Sequence, residues 1–120
     1  MDPTTMLRTA ACLFVLTALG GLLMAGIRFF GARNPPAWVA LVHGLLAGAG
    51  VTLLAYATAT AAVPRLAVIS LALFLLAALG GLVLNLRYEW NRRLLPASLV
   101  IGHAVVAVLA FGLLLAAAWG

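Results

Sequence analysis

Four apolar runs, each long enough to cross a bilayer, follow one another along this chain with only short breaks between them. The first extends from Met6 to Phe30, interrupted only by Arg8 and Arg28 near its ends. The others run over about 36–62, 64–88 and 96–119. A bilayer core roughly 30 Å thick needs about 20 apolar residues per helix. The 120 residues therefore accommodate four spans and little else. None of the runs alternates in polarity, so they read as helices rather than strands, and only helices or closed barrels satisfy their backbone in lipid. The fold class expected is all-α, a four-helix transmembrane bundle forming a single membrane domain.

Composition excludes the soluble alternative. Hydrophobic residues make up 67% of the chain and charged residues 8%, against about 25% charged in an ordinary soluble domain. A domain this small leaves too much surface exposed to hide that apolar excess from water. The net charge of +5 does not point to nucleic acid, because membrane proteins keep basic residues in their loops for topology. All basic residues are arginine, and lysine and glutamine are absent. The Arg, Ala, Leu and Gly bias suits a GC-rich bacterial genome, so a bacterial inner membrane is the expected location. No basic n-region or small-residue cleavage site precedes the first run, so residues 1–30 read as a span and not as a removable signal. Cys12, the lone cysteine, has no intrachain partner and is expected to be a small buried hydrophobe.

Prolines and arginines mark the breaks. In the first loop Asn34 is expected to cap the second helix, with Pro35 and Pro36 in its first turn. Arg28, Arg33, Arg87, Arg92 and Arg93 flank the first and third loops, while Arg8 and Arg65 lie at the opposite ends. The positive-inside rule then places those two loops in the cytoplasm. Trp38, Tyr88, Trp90 and Trp119 lie near span ends and read as interfacial anchors. Glu89 is expected to form a solvated ion pair with Arg92 or Arg93.

The chain also matches itself at an offset of 60 residues. Ala18-Leu19-Gly20-Gly21-Leu22 repeats as Ala78-Leu79-Gly80-Gly81-Leu82, and Leu13-Phe14 as Leu73-Phe74. Arg33 matches Arg93, Pro36-Ala37 matches Pro96-Ala97, and His43 matches His103. Leu and Ala coincidences carry little weight in so biased a sequence. The glycine pairs, the proline, the arginine and both histidines in one register carry much more. Two tandem hairpins, about 1–60 and 61–120, are expected, related as a parallel repeat about an axis along the membrane normal. Each histidine lies seven residues after its proline, about 10 Å below the boundary at 1.5 Å per residue.

An ionisable group at that depth marks a functional site. Two imidazoles at one level of a bundle are suited to axial ligation of a single haem iron, since bundles build cofactor sites from facing helices. Ala47 and Gly50, one and two turns deeper than His43, and Ala107 and Ala110 after His103, leave room for a flat macrocycle. Gly20, Gly21, Gly80 and Gly81 permit close approach to the first and third helices. Arg33 and Arg93, with Arg28, Arg87 and Arg92, are available to haem propionates at the nearer boundary.

In plan the chain resembles the membrane b-type cytochromes, in which a four-helix bundle holds haem between histidines of its second and fourth helices. The resemblance implies His43 and His103 as axial ligands and Gly20, Gly21, Gly80 and Gly81 as the residues that make room for the porphyrin. It implies one haem b, because each ligand helix has a single histidine. It also implies electron transfer within the membrane to or from quinone or partner redox subunits, and assembly into an oligomer stays open.

Two other classes remain at this point. The histidines could each bind a (bacterio)chlorophyll-type pigment, or the chain could be a cofactor-free structural subunit of a larger membrane complex. A zinc site lacks enough ligands. A proton-coupled transporter lacks an intramembrane acid, Asp2 and Glu89 being the only acidic residues. No catalytic constellation for bond-making chemistry is present, so any oxidoreductase activity belongs to the cofactor or to a larger complex.

Overall fold

The computed structural model describes all 120 residues and is all-helical, with no strand. Its helices are α1 (Pro3–Phe30), α2 (Ala37–Thr60), α3 (Arg65–Val83) and α4 (Ala97–Trp119). α3 continues without a break into a π-helical segment, Leu84–Glu89. All four helices are long and apolar enough to cross a membrane. They lie side by side in a body of 44 × 22 × 20 Å, so a bilayer is the solvent this surface suits.

The helix starts have local causes. Asp2 caps α1, accepting the Thr5 N–H on Oδ1 and the Thr5 hydroxyl on Oδ2, both at 2.8 Å. With Pro3 in the first turn, α1 begins three residues before the expected Met6. α2, α3 and α4 each start directly after a proline, Pro36, Pro64 and Pro96. Their fixed φ sets the chain into the helix while their carbonyls accept the first amides. Val39 and Ala67 donate to Pro36 and Pro64 at 3.1 and 2.9 Å, and Val100 to Pro96 at 3.1 Å. The expected Asn34 cap is not formed, since no side chain caps α2. Asn34 instead reaches the other loop, donating from Nδ2 to the Arg93 carbonyl at 2.6 Å and accepting the Leu95 N–H at 2.9 Å.

α1 packs against α2 and α3 against α4, while α1 also meets α4 and α2 meets α3. The helices thus form a closed ring, with α1 and α3 on one diagonal and α2 and α4 on the other. The interior is small and made mostly of short side chains. Only 20 of the 120 residues are buried, among them Ala10, Ala57, Ala67 and Ala110, with no exposure at all. Short side chains let helix backbones approach closely, which is how helices associate when lipid outside is as apolar as the core. On the α1–α3 diagonal the rings of Phe14 and Phe74 stack face to face, 3.7 Å apart and 3° from parallel. Ser70, fully buried, donates to the Ala110 carbonyl at 2.7 Å and ties α3 to α4.

Most large apolar side chains point outward, Leu22 (70% exposed) and Val108 (70%) among them. Cys12 also faces out, so the expectation that it is buried fails. A helix apolar all round has no polar face to tell inside from outside. Gly44 and Gly48 face open space as well.

Further bonds fasten the hairpins to each other. At the loop end Arg28 Nε donates to the Leu95 carbonyl at 2.7 Å. At the opposite end Arg8 Nε donates to the Ala118 carbonyl at 3.0 Å, with its guanidinium 5.2 Å from the centre of the Trp119 ring. That distance is within cation–π range.

Candidate cofactor site

His43 on α2 and His103 on α4 come together inside the bundle. Their ring centroids are 6.2 Å apart, with the planes at 69°. Both side chains are half-buried. Each is held by the first helix of its own hairpin. His43 Nδ1 lies 2.8 Å from the Thr17 carbonyl oxygen, and His103 Nδ1 lies 2.7 Å from that of Ala77. A carbonyl only accepts, so Nδ1 carries the proton in both rings, which leaves Nε2 as the ring nitrogen free to bind in each. A histidine that binds metal through one ring nitrogen is commonly anchored in this way, through Nδ1–H to a backbone carbonyl.

The glycines lie directly beneath these rings. A Cβ added at Gly21 would sit 3.0 Å from His43 Cε1, and one at Gly81 would sit 3.2 Å from His103 Cε1. At Gly20 the nearest atom would be His43 Cβ at 3.6 Å, and at Gly80 it would be His103 Nδ1 at 3.7 Å. Their immediate use is to let each imidazole lie flat against the neighbouring backbone, close enough to bond its carbonyl. A larger residue would push the ring outward and stretch that bond.

The small residues deeper in the bundle divide into two levels. Ala47 and Ala107 are half-buried, one turn below the histidines. Gly50 and Ala110 are buried, but their surroundings are already filled. A Cβ at Gly50 would come within 2.8 Å of Phe14 Cζ, and the Ala110 carbonyl is taken by Ser70. The stacked phenylalanines therefore close the bundle axis below the imidazole level.

The arginines separate as well. Arg33, Arg87, Arg92 and Arg93 are exposed at the loop end, while Arg28 is half-buried. Arg28 alone among them has its guanidinium committed to the backbone, at Leu95. The expected ion pair of Glu89 is missing from Oε2, which is shielded from solvent and takes no hydrogen bond. No group of three or more His, Cys, Asp and Glu side chains is placed to hold a bare metal ion.

Sequence reasoning singled out the histidines and the glycines beside them. It did not reach the Thr17 and Ala77 carbonyls, because a backbone acceptor leaves no mark in residue type. The one available signal was spacing. Each carbonyl lies 26 residues before its histidine, at the level where the glycine pair begins. No family model matches the chain, and no curated protein or solved structure is significantly similar to it.

Proposed function

We propose that this chain is a membrane electron-transfer protein in which His43 and His103 ligate one haem b between α2 and α4. The observation that carries the reading is the pair of matched bonds from Nδ1–H to Thr17 and Ala77, which leaves two Nε2 lone pairs on facing helices. The separation agrees with it. The two imidazoles, with centroids 6.2 Å apart, are close enough that one bound group could be shared between them. That spacing also lies within the range of a direct edge-to-face aromatic contact, so the distance supports the reading and the hydrogen bonds carry it.

When bound, the haem supplies single-electron exchange. The protein's part is to present both imidazoles in one tautomer and one orientation, through carbonyls on rigid helices. Gly20, Gly21, Gly80 and Gly81 permit that orientation, and Ala47 and Ala107 leave the level beneath the rings short of bulk. Arg28, half-buried at the loop end, is the best-held cation for a propionate, ahead of the exposed Arg33 and Arg93. The partners proposed are quinone or companion redox subunits. The membrane proposed is a bacterial inner membrane, with the arginine-rich loops on the cytoplasmic side.

The reading includes descent of both hairpins from one duplicated unit. Support comes from contacts sixty residues apart in kind as well as in position. They are the two imidazole–carbonyl bonds, the two glycine–imidazole approaches, the Phe14–Phe74 stack, and left-handed residues at Ala32 (φ 50°) and Arg92 (φ 56°) in the two loops.

The test is a reduced-minus-oxidised absorbance spectrum of protein produced with haem supplied, beside His43→Ala and His103→Ala. A low-spin haem spectrum in the parent and its loss in each variant is expected. No haem in the parent would sink the cytochrome and leave the cofactor-free accessory subunit. A magnesium-pigment spectrum would select the chlorophyll-type reading. Low-spin haem retained in both variants would sink the ligand assignment.

A further inference from the structure

Where the two arginine-bearing loops meet, a groove of about 340 Å³ opens, lined by Asn34, Glu89, Arg92 and Leu94. Its lining carries charge of both signs. Glu89 Oε2 is shielded from solvent and accepts no hydrogen bond, from Arg92 or from anything else in the chain. A carboxylate oxygen out of contact with water costs free energy until a donor reaches it. The neighbouring polar groups are committed elsewhere. Asn34 is engaged by Arg93 and Leu95, and Asn91 Nδ2 donates to the Leu86 carbonyl at 2.9 Å.

The backbone places this carboxylate deliberately. Trp90 and Arg93 donate to the Asn85 and Tyr88 carbonyls, each five residues back, at 2.8 Å. Those wide π turns rotate Glu89 off the face that a regular helix would give it. Arg92 then takes a left-handed φ of 56°, with its amide on the Glu89 carbonyl at 3.1 Å. The groove is therefore lined by a carboxylate with one oxygen unpaired and by a guanidinium three residues on. Trp90 (74% exposed) and Trp38 (68% exposed) flank the same helix ends, the level where indoles sit among lipid headgroups.

We propose that this groove holds the headgroup of a zwitterionic aminophospholipid, its ammonium donating to the Glu89 carboxylate and its phosphate accepting from Arg92. An ethanolamine headgroup has both requirements. A choline headgroup has the cation but no N–H to donate, and a glycerol headgroup has no cation. The site uses no haem ligand, so it stands or falls apart from the cytochrome reading.

The experiment reconstitutes the full chain in nanodiscs of phosphatidylethanolamine mixed equally with phosphatidylcholine, or with phosphatidylglycerol. Lipid retained after mild detergent extraction is counted by mass spectrometry. A charge-assisted hydrogen bond gives an expected preference of about tenfold for phosphatidylethanolamine over either competitor. Glu89→Gln should bring that preference close to parity. Arg92→Gly, which keeps the left-handed backbone available, should lower retention of phosphatidylethanolamine while the helix content by circular dichroism is unchanged. Water-soluble glycerophosphoethanolamine, added at matched headgroup concentration, should not displace the retained lipid. Parity in the parent, preference for phosphatidylglycerol, or a preference that survives both substitutions would overturn the site. Full displacement by the soluble compound would overturn the membrane as the ligand's source.

Discussion

The first hairpin, α1 with α2, and the second, α3 with α4, treat their histidines alike and several of their other contacts differently. Each presents an imidazole that donates from Nδ1 to a carbonyl on its first helix, over a glycine where an added Cβ would press on the ring at 3.0 or 3.2 Å. Around that shared contact, positions sixty residues apart differ. The first hairpin has Gly50 against Phe14 where the second has Ala110 bonded by Ser70. Asn34 clamps the other loop, while Leu94 has no side-chain group to return the bond. α1 ends as a regular helix, whereas α3 widens into π turns. The difference teaches where constraint lies. Packing tolerates many solutions of similar volume, but an imidazole bonded inside an apolar bundle tolerates few, because an unpaired N–H there is costly.

The comparison breaks most severely at the aromatic pair that both hairpins share. Phe74→Ala removes half of the Phe14–Phe74 stack and should cost about 3 kcal/mol, typical of a buried phenylalanine truncation. Denaturant titration in detergent micelles measures it. Phe14→Ala should cost a similar amount, and the double variant less than the sum of the two, because the contact is shared. Strict additivity would show that each ring is held by its own hairpin alone.

A smaller effect is expected at Gly50→Ala. The new methyl would press on Phe14 Cζ at 2.8 Å, and a ring already stacked has little room to retreat. Overpacking of this kind costs roughly 1–3 kcal/mol. The reciprocal Ala110→Gly should cost about 1 kcal/mol, chiefly from lost helix propensity. Equal costs would mean that the two hairpins are packed alike after all.

The loop clamp comes next. Asn34→Leu makes the first loop match the second at that position and removes two hydrogen bonds at the exposed end, a loss of about 1 kcal/mol. Hydrogen exchange at the Leu95 amide reports it directly, and an unchanged rate would show that Arg28 alone fastens the loops.

The smallest effect is a pH dependence at the start of α1. The Thr5 amide, and then its hydroxyl, hold the Asp2 carboxyl below its ordinary value of 3.8. A carboxyl whose folded pKa is depressed stabilises the fold above the unfolded value, and that contribution is lost as pH falls through the folded one. Fraying at Thr5, read by amide exchange, should therefore increase only below about pH 4. Asp2→Asn, which still caps but does not titrate, should remove the dependence.

Much of this was legible in the residues themselves. The four spans were found to within about three residues at each end, since hydropathy and proline are local signals. His43 and His103, with Gly20, Gly21, Gly80 and Gly81, stood out by register. What was misread involved side chains whose partners lie on another element. Asn34 looked like a cap because it precedes prolines, yet its acceptor and donor are on the far loop. Glu89 looked paired because arginines follow it, yet its Oε2 is shielded from solvent and takes no hydrogen bond. Cys12 looked buried because its run is apolar, yet an apolar run in lipid is mostly surface.

Four membrane-length helices, broken at prolines, with two histidines in one register, follow from the order of residues alone. Those follow from chain-local physics: apolar length, fixed φ and the confinement of charged residues to the ends of the spans. Packing between helices sets which way each one turns, that Phe14 meets Phe74, and that Thr17 and Ala77 supply the carbonyls that hold the imidazoles. A helix apolar on every side has no stripe from which its rotation follows. Close packing of small residues and a few polar contacts choose that rotation, and a backbone carbonyl looks the same in every residue of the chain.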